Sequence, residues 1–215
     1  MNLISKNLET MSAPRSGSTF INQILKCIFT NVKNTHDYNP NAEIIIFRNF
    51  LDSAISFHRV RYRKENDFII NNKKDIHLIV NDYQKAIAHI KSYFKSSTFK
   101  NKMFMVYDYD IMSNGNNNYG KIFNMIEDYF LIKISPEQRS MIIKNTNIDI
   151  NKKRAEKFKD FKSWDKDTLI HGNHINTGSI DSWKNHISED LHLFYKSTTL
   201  FSDYEYCLRK IEYYE

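Results

Sequence analysis

Pro14-Arg15-Ser16-Gly17-Ser18-Thr19-Phe20 decides how this chain is read. The segment before it, Leu8 to Ala13, suits a strand. After it, Phe20, Ile21, Ile24, Leu25, Ile28 and Phe29 recur with the period of one buried helical face, so a helix is expected as far as Phe29. A strand, a tight turn and a helix start bring free backbone N–H groups and the positive end of a helix dipole to one point. An anion is the natural occupant of that point. Arg15 adds a fixed charge, Gly17 eases the turn, and Ser16, Ser18 and Thr19 add hydroxyl donors. The loop is expected to cradle a phosphate or sulfate ester. It differs from the nucleoside-triphosphate loop G-x-x-x-x-G-K-[ST], having one glycine and no Gly-Lys pair. An ordinary Pro-Gly-Ser turn at a helix start has the same composition, so the rest of the chain must decide.

The 215 residues suit a single domain, 1–215, large enough for a proper core. A hydrophobic share of 41% with 26% charged residues describes a soluble globular protein. Fifteen Phe and thirteen Tyr against five Gly and three Pro favour helices packed through aromatic rings. No apolar run approaches the ~20 residues of a membrane span, and Met-Asn-Leu-Ile-Ser-Lys at the start lacks the apolar centre of a signal peptide. Cys27 and Cys207 have no ligand-like spacing, which argues against a disulfide scaffold or zinc site and suits a reducing cytoplasm. The net charge of +6 implies anionic partners. Much of it lies in His58-Arg59-Val60-Arg61-Tyr62-Arg63-Lys64 and between Lys144 and Lys159, both read as solvated surface. No aromatic-basic recognition pattern accompanies them, so nucleic acid is not an expected partner.

Further along, Glu43–Phe47 and Met103–Tyr107 read as buried parallel strands, and Asn49–Arg59 as a helix. Asp75 is expected to cap a helix whose stripe runs through Ile76, Ile79, Val80, Tyr83, Ile87, Ile90 and Phe94. Ser113–Asn118 reads as a polar loop before a helix marked by Ile122, Phe123, Ile126 and Phe130. Ser135-Pro136-Glu137-Gln138 opens another, with a capping hydroxyl, proline in the first turn and Gln three residues on. Alternating strands and helices predict an α/β domain, a central and mainly parallel sheet flanked by helices in three layers. Ligands of such sheets sit beyond the carboxyl ends of the strands. Arg48 ends its strand at that edge, and Ser56 lies two helical turns on, with Ser53 a weaker candidate. Arg48 and Ser56 could bind a second phosphate; alternatively Arg48 pairs with Asp52 in a local salt bridge.

Taken together, these segments resemble the PAPS-dependent sulfotransferases, whose donor is 3′-phosphoadenosine 5′-phosphosulfate and whose fold is P-loop-like. Pro14–Phe20 is similar to the family's loop for the 5′-phosphosulfate, which implies donor contacts from Arg15, Ser16, Gly17, Ser18 and Thr19 and adenine packing by Phe20. Arg48–Phe57 (R-N-x-x-D-x-A-x-S-F) is similar to the 3′-phosphate binder, with Arg48 and Ser56 at the contacting positions. Asn176-Thr177-Gly178-Ser179-Ile180-Asp181-Ser182-Trp183-Lys184-Asn185 resembles the late G-x-x-G-x-W-K-N segment that closes over the nucleotide, implying contacts from Thr177 and Gly178. Here Asn176-Thr177 stand where many members carry Arg-Lys, Asp181 replaces the second glycine, and Arg15 replaces a lysine. Tyr107-Asp108-Tyr109-Asp110-Ile111 resembles the Y-E-D-L turn near the base; whether Tyr107 or Tyr109 is the counterpart stays open. Asn34-Thr35-His36 resembles the K-T-H segment, which implies His36 as the general base, with Asp37 in reserve. His171, His174 and His186 read as polar surface residues.

The resemblance implies an enzyme moving a sulfuryl group from PAPS to a hydroxyl or amine of a small-molecule or glycan acceptor, releasing 3′,5′-bisphosphate nucleotide (PAP). Arg15 and the loop amides would stabilise the leaving phosphate, and no metal is needed. The chain is short for the family, so a small acceptor pocket, or one completed by a partner chain as in a homodimer, is expected. Two other classes compete. One is a module that binds PAP or PAPS without turnover; the other, disfavoured by the missing Gly-Lys pair, is a P-loop kinase of small substrates.

Overall fold

A computed structural model describes residues 3–65, 67–113, 116–159, 163–165, 168–172 and 179–212. Four parallel strands form the central sheet: β1 (Ile4–Ser12), β2 (Phe29–Thr35), β3 (Ile44–Phe47) and β4 (Met103–Val106), in the order β2-β1-β3-β4. Strand order therefore reverses between β1 and β3, where the turns after the two strands leave to opposite sides of the sheet. Such a switch point opens a crevice at the carboxyl edge. The turn Ala13–Gly17 and Arg48 both lie there.

Period-two alternation separates two cores. Ile44 and Ile46 of β3, with Met103 and Met105 of β4, face one of them. It is shared with α1 (Ser18–Lys26), α4 (Tyr119–Phe130) and α5 (Pro136–Thr146). Ile45, Phe47, Phe104 and Val106 face the other, against α2 (Phe50–Arg61), α3 (Lys73–Lys95), α7 (Glu189–Lys196) and α8 (Thr199–Glu212). A short α6 (Ile148–Ala155) follows α5. Helix, sheet and helix layers bury both sheet faces, as the isoleucine-rich β3 requires.

Some expectations shift. The first helix stops at Lys26, and Phe29 opens β2 instead. Ile28 and Phe29 are buried as a helical stripe would bury them, but Thr30, Val32 and Thr35 are β-branched and the segment pairs in register with β1. Asn72, not Asp75, caps α3: its side chain accepts from the Asp75 N–H at 3.0 Å and its amide donates to the Asp75 carboxylate at 2.9 Å. That reciprocal pair places Asp75 in the first turn rather than before it. In the stretch read as a polar loop, Met112–Ser113 (β5) and Asn116–Asn117 (β6) pair antiparallel, and residues 114–115 lie outside the described ones. Ser135 does cap α5, accepting from the Gln138 N–H at 3.2 Å.

Candidate active site

The loop after β1 is held from three sides. Ala13 N–H donates to the Ile46 carbonyl at 3.0 Å, Tyr83 of α3 donates its hydroxyl to the Pro14 carbonyl at 2.6 Å, and Ser16 donates its hydroxyl to the Ala13 carbonyl at 2.7 Å. Two residues take left-handed backbone, Arg15 at φ 65° and Gly17 at φ 80°. Arg15 holds a conformation that costs a side-chain-bearing residue free energy, and such strain persists only where the surroundings impose it. Gly17 has a second reason to be glycine. A Cβ there would run into the Tyr107 ring. Gly17 is also the N-cap of α1 and supplies no side-chain cap, so the first-turn amides of Ser18 and Thr19 end the helix with no side-chain acceptor at the cap. The turn stands between β1 and the N-terminus of α1 as its composition predicts, but Ser16 is buried and its hydroxyl serves the carbonyls of Ala13 and Ile46.

Arg15 reaches across the crevice, and its Nε donates to Ser56 Oγ of α2 at 3.1 Å. Ser56, expected beside Arg48, thus belongs to the Arg15 side chain in this structure. Burial first, and then the charges of Arg59 and Arg48, pull the Arg15 guanidinium down to a pKa of about 10. Arg15 and Arg48 both lie at this edge of the sheet.

Arg48 is 7% exposed and tied into the scaffold. Its Nη2 donates to Asp52 at 3.1 Å and to the Ser179 carbonyl at 2.5 Å, its Nε lies 3.7 Å from Asp108, and its guanidinium sits 4.8 Å above the Tyr107 ring. The Asp52 pairing considered from sequence is therefore formed. Asp52 also accepts from Ser182 Oγ at 2.9 Å and from the Trp183 N–H at 2.8 Å. Arg48 and Asp52 together fasten the late segment onto α2. Asp181, in place of a glycine, adopts φ 56°, which aspartate tolerates better than most residues, and it precedes a 3₁₀ turn at Ser182–Asn185. Thr177 and Gly178, with Asn176 and His174, lie outside the described residues.

A π-helical turn, Tyr107–Ile111, follows β4 and separates the two tyrosines. Tyr107 is buried against Gly17 and Arg48, with its hydroxyl pushed up to about 12 by burial, whereas Tyr109 is 59% exposed. Tyr107 is therefore the one at the crevice. Asp108 accepts from the Asn49 N–H at 2.5 Å, and burial raises its carboxyl to about 6 in spite of Arg48. Phe20 packs edge-on to Tyr119 of α4 at 5.4 Å, both against the core that α1 and α4 share.

A cavity of about 500 Å³ opens beside the loop, lined among others by Arg15, Gly17, Ser18, Thr19, His36 and His171. His36 follows β2 with its ring anchored: Nδ1 is 2.8 Å from the Ser12 carbonyl. A carbonyl only accepts, so Nδ1 carries the hydrogen and the neutral ring keeps its lone pair on Nε2. Asp37 is outside this cavity and bound to Lys85 at 3.1 Å, which holds its carboxyl below the usual range. His171, read from sequence as a polar surface residue, is half-buried and lines this cavity. It stacks on Trp164 at 5.4 Å and faces the cavity from a segment docked on α1 by the bond from Gln23 Nε2 to the Thr168 carbonyl, 2.7 Å. Nothing periodic in residues 163–172 signals this. His186 instead binds the Phe68 carbonyl at 2.9 Å, a structural role. Among the described residues no group of three or more His, Cys, Asp or Glu side chains is arranged to hold a metal ion.

A parallel sheet with the Ala13–Gly17 turn at the switch point and helices on both faces is the P-loop-like architecture of sulfotransferases. The crystal structure of mouse sulfotransferase SULT7A1 complexed with PAP is similar to this chain at TM-score 0.64 and 16% identity, covering 99% of this chain and 90% of the mouse one. That likeness establishes a sulfotransferase-like fold. No family model and no curated protein matches the sequence.

Proposed function

We propose that the protein is a sulfotransferase that uses PAPS to sulfate a hydroxyl or amine of a small-molecule or glycan acceptor. One observation carries this reading: the α1 N-terminus, with Gly17 as its cap and Arg15 beside it, shares a cavity with a histidine whose ring tautomer is anchored. PAPS would supply the transferable sulfuryl group on a 5′-phosphate. Arg15 and the amides of Ser18 and Thr19 would face that phosphate as it gathers negative charge when its bond to sulfur breaks. His36 Nε2 would take the acceptor proton while the acceptor oxygen bonds to sulfur, and the electron pair of the broken S–O bond leaves with the nucleotide. Tyr107 would flank the nucleotide at the crevice.

The test is turnover. Incubation with PAPS and a panel of phenols, alcohols, amines and sugars is expected to release PAP and yield a sulfated product. His36→Gln is expected to slow this by about 10²–10⁴-fold while leaving PAP affinity intact. PAP binding with no sulfated product, indifferent to His36→Gln, would mean a binding module instead.

A further inference from the structure

The cavity beside the Ala13–Gly17 turn is a groove with two matched walls. Ser18, Asn22 and Lys26 line it four residues apart, one stripe of α1. Val32, Asn34 and His36 line it from alternate positions along β2 and just beyond its end. Thr10 of β1 lies between the walls, its hydroxyl 3.1 Å from Asn22 Oδ1 and 2.9 Å from Asn34 Oδ1. Those two side chains therefore stand level across the groove. β1 and β2 are parallel, so α1, which connects them, runs back the other way. Four residues of helix rise about 6 Å and two of strand about 6.6 Å. The neighbouring pairs are then level too, Ser18 with His36 at the carboxyl edge and Lys26 with Val32 at the far end. The groove has three rungs over about 12 Å.

Its fixed charges are all of one sign. Arg15 stands at the carboxyl-edge end and Lys26 at the other, and no Asp or Glu is among the described residues that line it. The α1 dipole favours a basic residue in the last turn, yet it does not require that residue to line a cavity, as the half-buried Lys26 does. A groove of this shape and charge fits an elongated anion that reaches from one end to the other.

Resting on the sulfotransferase reading above, we propose that this groove takes the acceptor, and that the acceptor is a hydroxylated carboxylic acid. Its hydroxyl lies at His36, its carboxylate at Lys26, and its body crosses the Asn22–Asn34 rung. The two ends use different cations: Arg15 faces the donor and Lys26 the acceptor's acid group, through a charge-assisted hydrogen bond.

Turnover of a graded series of para-hydroxyphenyl alkanoic acids and their methyl esters, at saturating PAPS, tests this. The longer acids are expected to exceed their esters in kcat/KM by about tenfold or more, through KM rather than kcat. The shortest acid, whose carboxylate falls short of Lys26, should differ from its ester by less than about twofold. In Lys26→Gln the preference for the longer acids should shrink to within about twofold, whereas Lys26→Arg should keep it. PAP affinity, read by calorimetry, should be unchanged in both variants. The wild-type ratio of acid to ester needs no variant, so it carries the test if Lys26→Gln does not fold. Esters as good as the longer acids, sulfation of neutral phenols but of none of the acids, or a preference that survives Lys26→Gln would overturn the proposal. So would a loss of PAP affinity in Lys26→Gln, which would place Lys26 in the donor site. A wild-type protein that releases no PAP with any acceptor would remove the sulfotransferase reading itself, and this proposal with it.

Discussion

The crevice concentrates charge in a way that composition hides. Arg48, Asp52 and Asp108 form one buried group in which two carboxylates face one guanidinium. Asp108 bears the cost, its carboxyl raised to about 6 against an unfolded value of about 3.9. Between roughly pH 4 and pH 6 the folded protein keeps this proton while the unfolded chain has released it, so stability from this group falls as pH rises through that window and levels off above it. Asp108→Asn removes the titration. The wild-type unfolding free energy, measured in urea relative to the variant, should drop by on the order of 2–3 kcal/mol from pH 4 to pH 7; a difference flat with pH would contradict the raised carboxyl. The turn after β1 was legible in the sequence because turn chemistry is a local signal, whereas His36 was singled out only by the resemblance of Asn34-Thr35-His36 to the K-T-H segment, since β2 before it was not read. The role of Ser16 was not legible, since the same hydroxyl serves a ligand or its own loop, and only the position of the Ala13 carbonyl decides. Arg59, buried on α2, was misread because a run of basic residues on a helix looks solvated until the partner face is known.

Strands and helices that bury a continuous stripe were the readable elements, β3, β4, α3 and α4 among them. β2 escaped because it is an edge strand of the sheet with exposed polar positions at Thr30, Asn31 and Lys33, so neither a buried run nor a clean alternation marks it. The late segment shows how elements far apart in sequence are fastened. Asp52, fully buried, accepts from Arg48, Ser182 and the Trp183 amide at once. Asp52→Ala should cost about 3–5 kcal/mol, because it strands a buried guanidinium and frees an amide and a hydroxyl from their acceptor. It should also open residues 179–186 to limited proteolysis in the folded protein. A loss below about 1 kcal/mol with unchanged cleavage would show that Asp52 is not the fastening.

For the molecule as a whole, strand order decides where chemistry can occur. β1 and β3 stand side by side with their carboxyl ends on one rim, and Arg15 and Arg48 lie there while both sheet faces are sealed by helices. Among the described residues no helix is long and apolar enough to cross a membrane. What this rim binds decides the function, and calorimetric titration of the protein with PAP, alongside ATP with Mg²⁺, reads it directly. Saturable binding of PAP at one site per chain, at least about tenfold tighter than ATP and lost in Arg15→Ala, is the predicted result. Preference for ATP with Mg²⁺, or PAP binding untouched by Arg15→Ala, would contradict it.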